Sequence, residues 1–174
     1  MGCDERARFI ASLIKGDLEQ GRKVLCVSDR LSYLRAIRTH LGSSDIDILD
    51  GRTKEAQRAD IFTKIGKGEQ QILLASKAID VYLYSRKFVG AFDALYMLTP
   101  NRTSWLGRTR LIIPPTPPPP KRPPVVRDFV DESPWLNAHF HARRRLAKRE
   151  GWEIKIREER KPDGKQTELW PTQR

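Results

Sequence analysis

Apolar positions recur along this chain in two alternating patterns. Ala7, Ile10, Ala11, Ile14 and Leu18 fall on one face at helical spacing and predict a helix over 5–20, ended by Gly21. Val24-Leu25-Cys26-Val27 follows as a short run with no polar member, the pattern of a strand buried on both faces. Leu31, Leu34, Ile37 and Leu41 then predict a helix over 30–41, with Ser28 or Asp29 as its cap and Gly42-Ser43-Ser44 as its stop. Ile46, Ile48 and Leu49 predict a second strand. Thr53 is expected to cap a helix over 54–66 that turns Ile61, Phe62 and Ile65 inward, with Gly66 and Gly68 at its end.

The alternation continues. Ile72-Leu73-Leu74-Ala75 predicts a third buried strand and Phe92 to Leu98 a fourth, closed by Thr99-Pro100. Residues 77–91 show no clear period. A helical turn is expected over 102–108 and a further strand at Leu111-Ile112-Ile113. Val125 to Val130 resumes the strand pattern, and Ser133-Pro134 opens a basic helix over 134–149 carrying Arg143, Arg144, Arg145, Lys148 and Arg149. Trp152, Ile154 and Ile156 alternate as a last, half-exposed strand. Repeated strand–helix alternation predicts an α/β fold: a parallel sheet sandwiched by helices. Ligands of such sheets sit beyond the carboxyl ends of the strands, which directs attention to 28–30, 50–54, 75–80 and 99–108.

A chain of 174 residues fits one domain. That domain is read over 1–157, followed by a polar, flexible tail over 158–174. Between Pro114 and Pro124 stand eight of the 12 prolines, so this stretch is an extended polyproline loop within the domain. The formal net charge is +11, and +7 of it falls between 101 and 150. A basic block in an otherwise balanced chain points to a phosphate-rich partner. No apolar run is long enough to span a membrane, and the first residues lack the apolar core of a signal peptide, so a cytoplasmic setting is expected. Cys3 and Cys26 form no metal spacing; Cys26, inside an apolar strand, reads as a small buried hydrophobe. His139 and His141 stand two apart, on different helix faces, which spoils a shared metal. No metal site is expected.

A phosphate loop is also missing. Gly16 to Lys23 mimics its spacing, yet Arg22 and Lys23 stand where Lys and Ser or Thr are required, and the segment precedes a strand instead of following one. Val125 to Glu132, ending in Asp131-Glu132, mimics a magnesium-binding strand end but has no nucleotide loop to serve.

What remains is Asp93-Ala-Leu-Tyr-Met-Leu-Thr99-Pro100, followed by Ser104-Trp-Leu-Gly107-Arg108-Thr-Arg110. With Lys23 to Ser28, Gly51-Arg52-Thr53, Arg58 and Ile72 to Ser76, these segments resemble the second, C-terminal RecA-like domain of superfamily 2 helicases, especially the phage and viral DNA-helicase branch. The resemblance runs over roughly 5–157. Lys23 to Ser28 resembles the strand opening motif IV, Ile72 to Ser76 the start of motif V, and Gly107-Arg108 the Gly-Arg core of motif VI.

The resemblance implies that Arg108, with Gly107 beside it, reaches in trans across a cleft as an arginine finger to the γ-phosphate of an ATP held by another RecA-like domain. It implies that Ser28, Arg30, Gly51, Thr53 and Ser76 hold a DNA or RNA backbone. There are departures. Ser104 stands where motif VI opens with Gln, Leu111 where its second arginine belongs, and Arg110 is one residue early as a substitute. The motif V Gly and Asp are replaced, leaving Asp80 as a stand-in. Motifs I and II, which bind ATP and Mg2+, are absent, so by this resemblance the chain alone neither holds nor hydrolyses ATP. Three expectations stand together: half of a split helicase completing an ATP site in trans, a non-catalytic nucleic-acid-binding or adaptor module, or a piece of a longer protein. An upstream RecA-like domain with a phosphate loop and acidic motif would favour the first or the third, and its absence the second.

Overall fold

The computed structural model describes residues 3–82, 90–99, 108–109, 112, 123–129, 134–161 and 164–173. Helix α1 (Cys3–Glu19) leads into strand β1 (Val24–Val27), then α2 (Leu31–Leu41), β2 (Ile48–Leu49), α3 (Glu55–Lys67), β3 (Ile72–Ala75) and a 3-10 helix over Lys77–Tyr82. Strands β4 (Ala94–Met97) and β5 (Val125–Phe129), helix α4 (Pro134–Arg149), and strands β6 (Trp152–Lys161) and β7 (Gly164–Gln173) complete the order.

The strands form a 7-stranded sheet in the order β2-β3-β1-β4-β5-β7-β6. From β2 to β5 all neighbours run parallel, with Leu25 of β1 in register with Leu73 on one side and Leu95 on the other. This is the expected α/β architecture, a parallel sheet with helices on both faces.

The alternation of side chains along each strand divides the apolar residues between two cores. Leu25, Val27, Leu73, Ala75, Leu95 and Met97 point to the face covered by Ile61, Phe62 and Ile65 of α3 and Ala147 of α4. Val24, Cys26, Leu74, Ala94 and Tyr96 point to the face covered by Ala7, Ile10, Ala11 and Ile14 of α1 and Tyr33, Leu34 and Ile37 of α2. Cys26 is fully buried, and burial pushes its thiol well above the ordinary range, so it acts as a hydrophobe. Among the described residues no helix is long and apolar enough to cross a membrane.

Several local expectations change on folding. Ser28 and Asp29 do not cap α2; the N-cap is Arg30, with no side-chain cap hydrogen bond. Thr53 does not cap α3 either, because Lys54 takes that position. The Thr53 hydroxyl instead closes the preceding turn, accepting from the Asp50 amide at 2.9 Å and donating to the Asp50 carboxylate at 3.2 Å. The helix stops are as expected: Gly42 and Gly68 adopt left-handed φ of 79° and 77°, where their amides close the last turns. Gly66, by contrast, lies inside α3.

The region expected as a flexible tail over 158–174 is instead largely paired. Strand β6 runs on to Lys161, and β7 lies antiparallel between β6 and β5. Main-chain groups make a sheet ladder, so a polar sequence can occupy a strand wherever a neighbouring edge needs a partner. The expected turn over 102–107, most of the 111–113 strand, the polyproline stretch over 114–122, Val130 and Asp131-Glu132 lie outside the described residues.

Strand β5 departs from the apolar rule, since Arg127 and Asp128 are both buried. Each is matched by a charge from a helix. Arg127 donates to the Asp17 carboxylate of α1 at 2.9 and 2.6 Å, and Tyr96 donates to the same carboxylate at 2.5 Å. Arg143 of α4 donates to Asp128 at 2.6 and 3.0 Å, so this member of the basic helix faces inward. Burial, with Asp17 beside it and against the opposing charge of Arg127, pushes the Tyr96 phenol far above its usual range.

That shift has a pH consequence with a definite sign. Below about pH 10 the phenol is neutral in both folded and unfolded chains. Above it, the unfolded chain ionises and the folded one does not, so stability falls as pH rises by about 1.4 kcal/mol per pH unit from this residue. Urea unfolding between pH 9 and 11, compared with Tyr96→Phe, should show a steeper loss in the parent chain. Equal slopes would contradict the assignment.

Candidate site at the carboxyl rim of the sheet

Because β1 to β4 run parallel, the segments after them meet along one edge. Asp29 follows β1, Asp50 to Thr53 follow β2, Ser76 to Asp80 follow β3, and Thr99 follows β4. The amide of Asp29 donates to the Thr99 hydroxyl at 2.6 Å, tying the exits of β1 and β4 together. The Asp29 carboxylate then lies 3.4 Å from Lys77 and 4.0 Å from Arg108.

Arg108 is held most closely by Asp80, Nε at 2.9 Å and Nη2 at 3.1 Å from its two carboxylate oxygens. The Arg108 side chain is 1% exposed, whereas Asp80 keeps 35%. The arginine expected to reach across a cleft therefore lies inside the rim, with a carboxylate on its fork. The 28 residues separating the pair gave no local signal for it. Gly107 and Arg110 lie outside the described residues.

The predicted backbone-binding residues divide into two sets. Ser28 is fully buried, and its hydroxyl accepts from the Arg30 amide at 3.1 Å. The Ser76 hydroxyl accepts from the Ala78 amide at 3.2 Å. With Thr53, these hydroxyls shape turns, a use Ser and Thr share wherever a strand hands over to a helix. Arg30 and Gly51 are exposed, and so are Arg52, Lys54 and Lys77 nearby. Arg58 braces the loop after β2 from α3, donating to the Thr53 carbonyl at 2.7 Å and to that of Gly51 at 3.5 Å.

Arg30 and Lys54 occupy the N-cap positions of α2 and α3, neither with a side-chain cap hydrogen bond. This reverses the usual chemistry. An N-cap ordinarily supplies an acceptor, and the positive end of the helix dipole disfavours a cation by about 0.3–1 kcal/mol. The first turn of α2 carries no acidic residue, whereas that of α3 carries Glu55. Local rules broken in this way are expected at functional positions. Arg30 was expected at this rim from the sequence; Lys54 was not, because Thr53 beside it is the better cap by residue type.

No protein-family model matches the chain, and no curated protein matches it. Among solved structures it is similar to the C-terminal part of the Fun30 ATPase domain, with 17% identity, TM-score 0.46, and coverage of 59% of this chain and 33% of that one. It therefore spans about a third of the Fun30 chain. It is also similar to an O-methyltransferase from Bacillus cereus in complex with SAH, at 10% identity and TM-score 0.49 over 98% of this chain and 81% of that one. A putative O-methyltransferase from Klebsiella pneumoniae gives 12% identity and TM-score 0.51 over 98% and 80%. Likeness at these identities shows the fold alone, a Rossmann- or RecA-like α/β arrangement.

The Arg108–Asp80 pair should respond unequally to truncation of its two members. Asp80→Ala leaves a buried guanidinium without its carboxylate, while Arg108→Met leaves a carboxylate that water still reaches. Asp80→Ala is expected to be the more destabilising by about 1–3 kcal/mol in urea unfolding. The reverse order would show that Arg108 is not buried as described.

Proposed function

We propose that this chain is a nucleic-acid-binding module that grips the phosphate backbone through the cations at its carboxyl rim. The observation that carries the proposal is the pair of cationic N-caps, Arg30 and Lys54, flanked by exposed Arg52 and Lys77. A phosphate would supply the anion that the first turn of α2 lacks and would meet Lys54 and Arg52 beside the start of α3. Such contacts position a strand without reading its bases, and the turn-closing hydroxyls of Ser28, Thr53 and Ser76 would hold the loops that present the amides. The turn after β1, Ser28-Asp29-Arg30, has no glycine, so it lacks the tight approach a dinucleotide pyrophosphate needs. The net charge of +11 favours the same class of partner.

Binding to single-stranded DNA, single-stranded RNA and duplex over a salt series tests this. Each phosphate contact should add a slope of about −0.9 on duplex, or −0.7 on single strands, to log affinity against log salt. The combined variant Arg30→Glu, Arg52→Glu, Lys54→Glu should bind at least about tenfold more weakly and with a shallower slope. A response to salt that is flat, or a variant that binds as the parent does, would overturn the reading. The three probes also distinguish DNA from RNA.

A second reading is supported by the likeness of Gly107-Arg108 to the motif VI core, although Arg108 lies inside the rim with its fork on Asp80. In that reading the chain is the C-terminal half of a split or truncated superfamily 2 DNA helicase, and Arg108 completes an ATP site in trans. A RecA-like partner with the phosphate loop and acidic motif would hold ATP and Mg2+. DNA-stimulated ATPase of the mixed proteins should then fall by about 10³-fold or more with Arg108→Ala. Unchanged turnover would remove this role while leaving backbone binding intact.

A further inference from the structure

The cluster around Arg108 alternates in sign. Lys77 lies against Asp29 at 3.4 Å, Asp29 is 4.0 Å from Arg108, and Arg108 is forked by Asp80 at 2.9 and 3.1 Å. Its two cations and two carboxylates cancel, so among the described residues this cluster is neutral, although Arg30, Arg52 and Lys54 are exposed in the segments after β1 and β2. The exposure is unequal in a telling direction. Solvent reaches the Asp80 carboxylate, at 35% exposed, and not the guanidinium, at 1%. An anion approaching this point meets carboxylates first and is repelled by them.

A guanidinium fork fits a carboxylate and a phosphate by the same bidentate geometry. Asp80 thus occupies the face of Arg108 that a phosphoryl group would use. Its place in the chain suits an exchangeable partner. Asp80 sits on the short 3-10 helix over 77–82, held at its start by two bonds to Ser76: the Ala78 amide to the hydroxyl and the Ile79 amide to the carbonyl. Short 3-10 helices have poorer hydrogen-bond geometry than α-helices, so less holds this segment in place. Asp29, by contrast, is pinned through its amide to Thr99.

We propose that Asp80 is an autoinhibitory counter-ion: in the free chain it withholds Arg108 from anions, and a phosphoryl group presented at the rim displaces it. The inference rests on the second reading above and adds a control to it. The chain alone would bind free phosphates only weakly, and Arg108 would become available where a phosphoryl group is present at high concentration, as when a partner or a bound strand supplies it. Arg108 is then a group that a ligand touches, and Asp80 a residue that acts through it.

The test uses the full chain and inorganic pyrophosphate as the probe, followed by calorimetry. Asp80→Asn keeps the shape of the carboxylate and removes its charge. It should bind pyrophosphate about tenfold or more tightly than the parent chain, equivalent to about 1.4 kcal/mol. Adding Arg108→Gln to Asp80→Asn should abolish the gain. Equal affinity in parent and Asp80→Asn would overturn the proposal, and so would a gain that survives Arg108→Gln, since the anion would then bind elsewhere.

A measurement on the unmodified chain covers the case in which Asp80→Asn does not fold. The Nε–H resonance of Arg108, identified by its loss in Arg108→Lys, should move as pyrophosphate approaches saturation. A resonance that stays in place would sink the exchange. Failure here is distinguishable from failure of the helicase reading. Partner ATPase that depends on Arg108 but not on Asp80 would keep the finger and discard the counter-ion role. A pyrophosphate gain without any Arg108-dependent ATPase would keep the exchange and discard the finger.

Discussion

The structure depends on one constraint: the parallel strands at the centre of the sheet are covered on both faces and tolerate almost nothing polar along their length. Strands β1, β3 and β4 meet it with uninterrupted buried runs. Successive residues then feed two separate cores, one under α1 and α2 and the other under α3 and α4. Strand β5 shows the constraint by its exception. Its Arg127 and Asp128 are buried only because α1 and α4 each deliver an opposite charge in bidentate contact. A buried ion pair of this sort adds little net stability, but each member makes the other obligatory. The two pairs therefore fix where the flanking helices sit against the β5 edge.

With the strands closed to chemistry, polar function is confined to the rim where parallel strands end together. There the chain distributes its groups in a consistent way. Hydroxyls face inward and shape turns: Ser28 over Arg30, Thr53 against Asp50, Ser76 under Ala78. Cations face outward, and at Arg30 and Lys54 they stand where a helix ordinarily places an acceptor. The electrostatic result is a set of exposed cations together with a locally neutral cluster. That cluster is neutral because Asp80 and Asp29 offset Arg108 and Lys77.

The amino-acid sequence by itself determined the alternation of elements, and through it the fold class. Apolar period is a local property, legible over four residues in Val24–Val27 and over a few turns in Ala7, Ile10, Ala11 and Ile14. The glycine stops at Gly42 and Gly68 were legible for the same reason, since a left-handed φ is a demand placed on one residue. Net charge and the missing phosphate loop also needed no coordinates. Tertiary structure alone decided the partners. Arg127 meets Asp17 across 110 residues and Arg108 meets Asp80 across 28, and no period connects either pair. It decided that Thr53 closes a turn while Lys54 takes the cap, because two neighbouring residues competed for one position and the geometry of the Asp50 turn chose between them. It also drew a polar segment into β7, because the free edge of β5 offered backbone bonds that composition does not encode. Local sequence specifies what each segment is able to form; which charge meets which, and which side chain stays at the surface, is set by distances that exist only once the sheet has assembled.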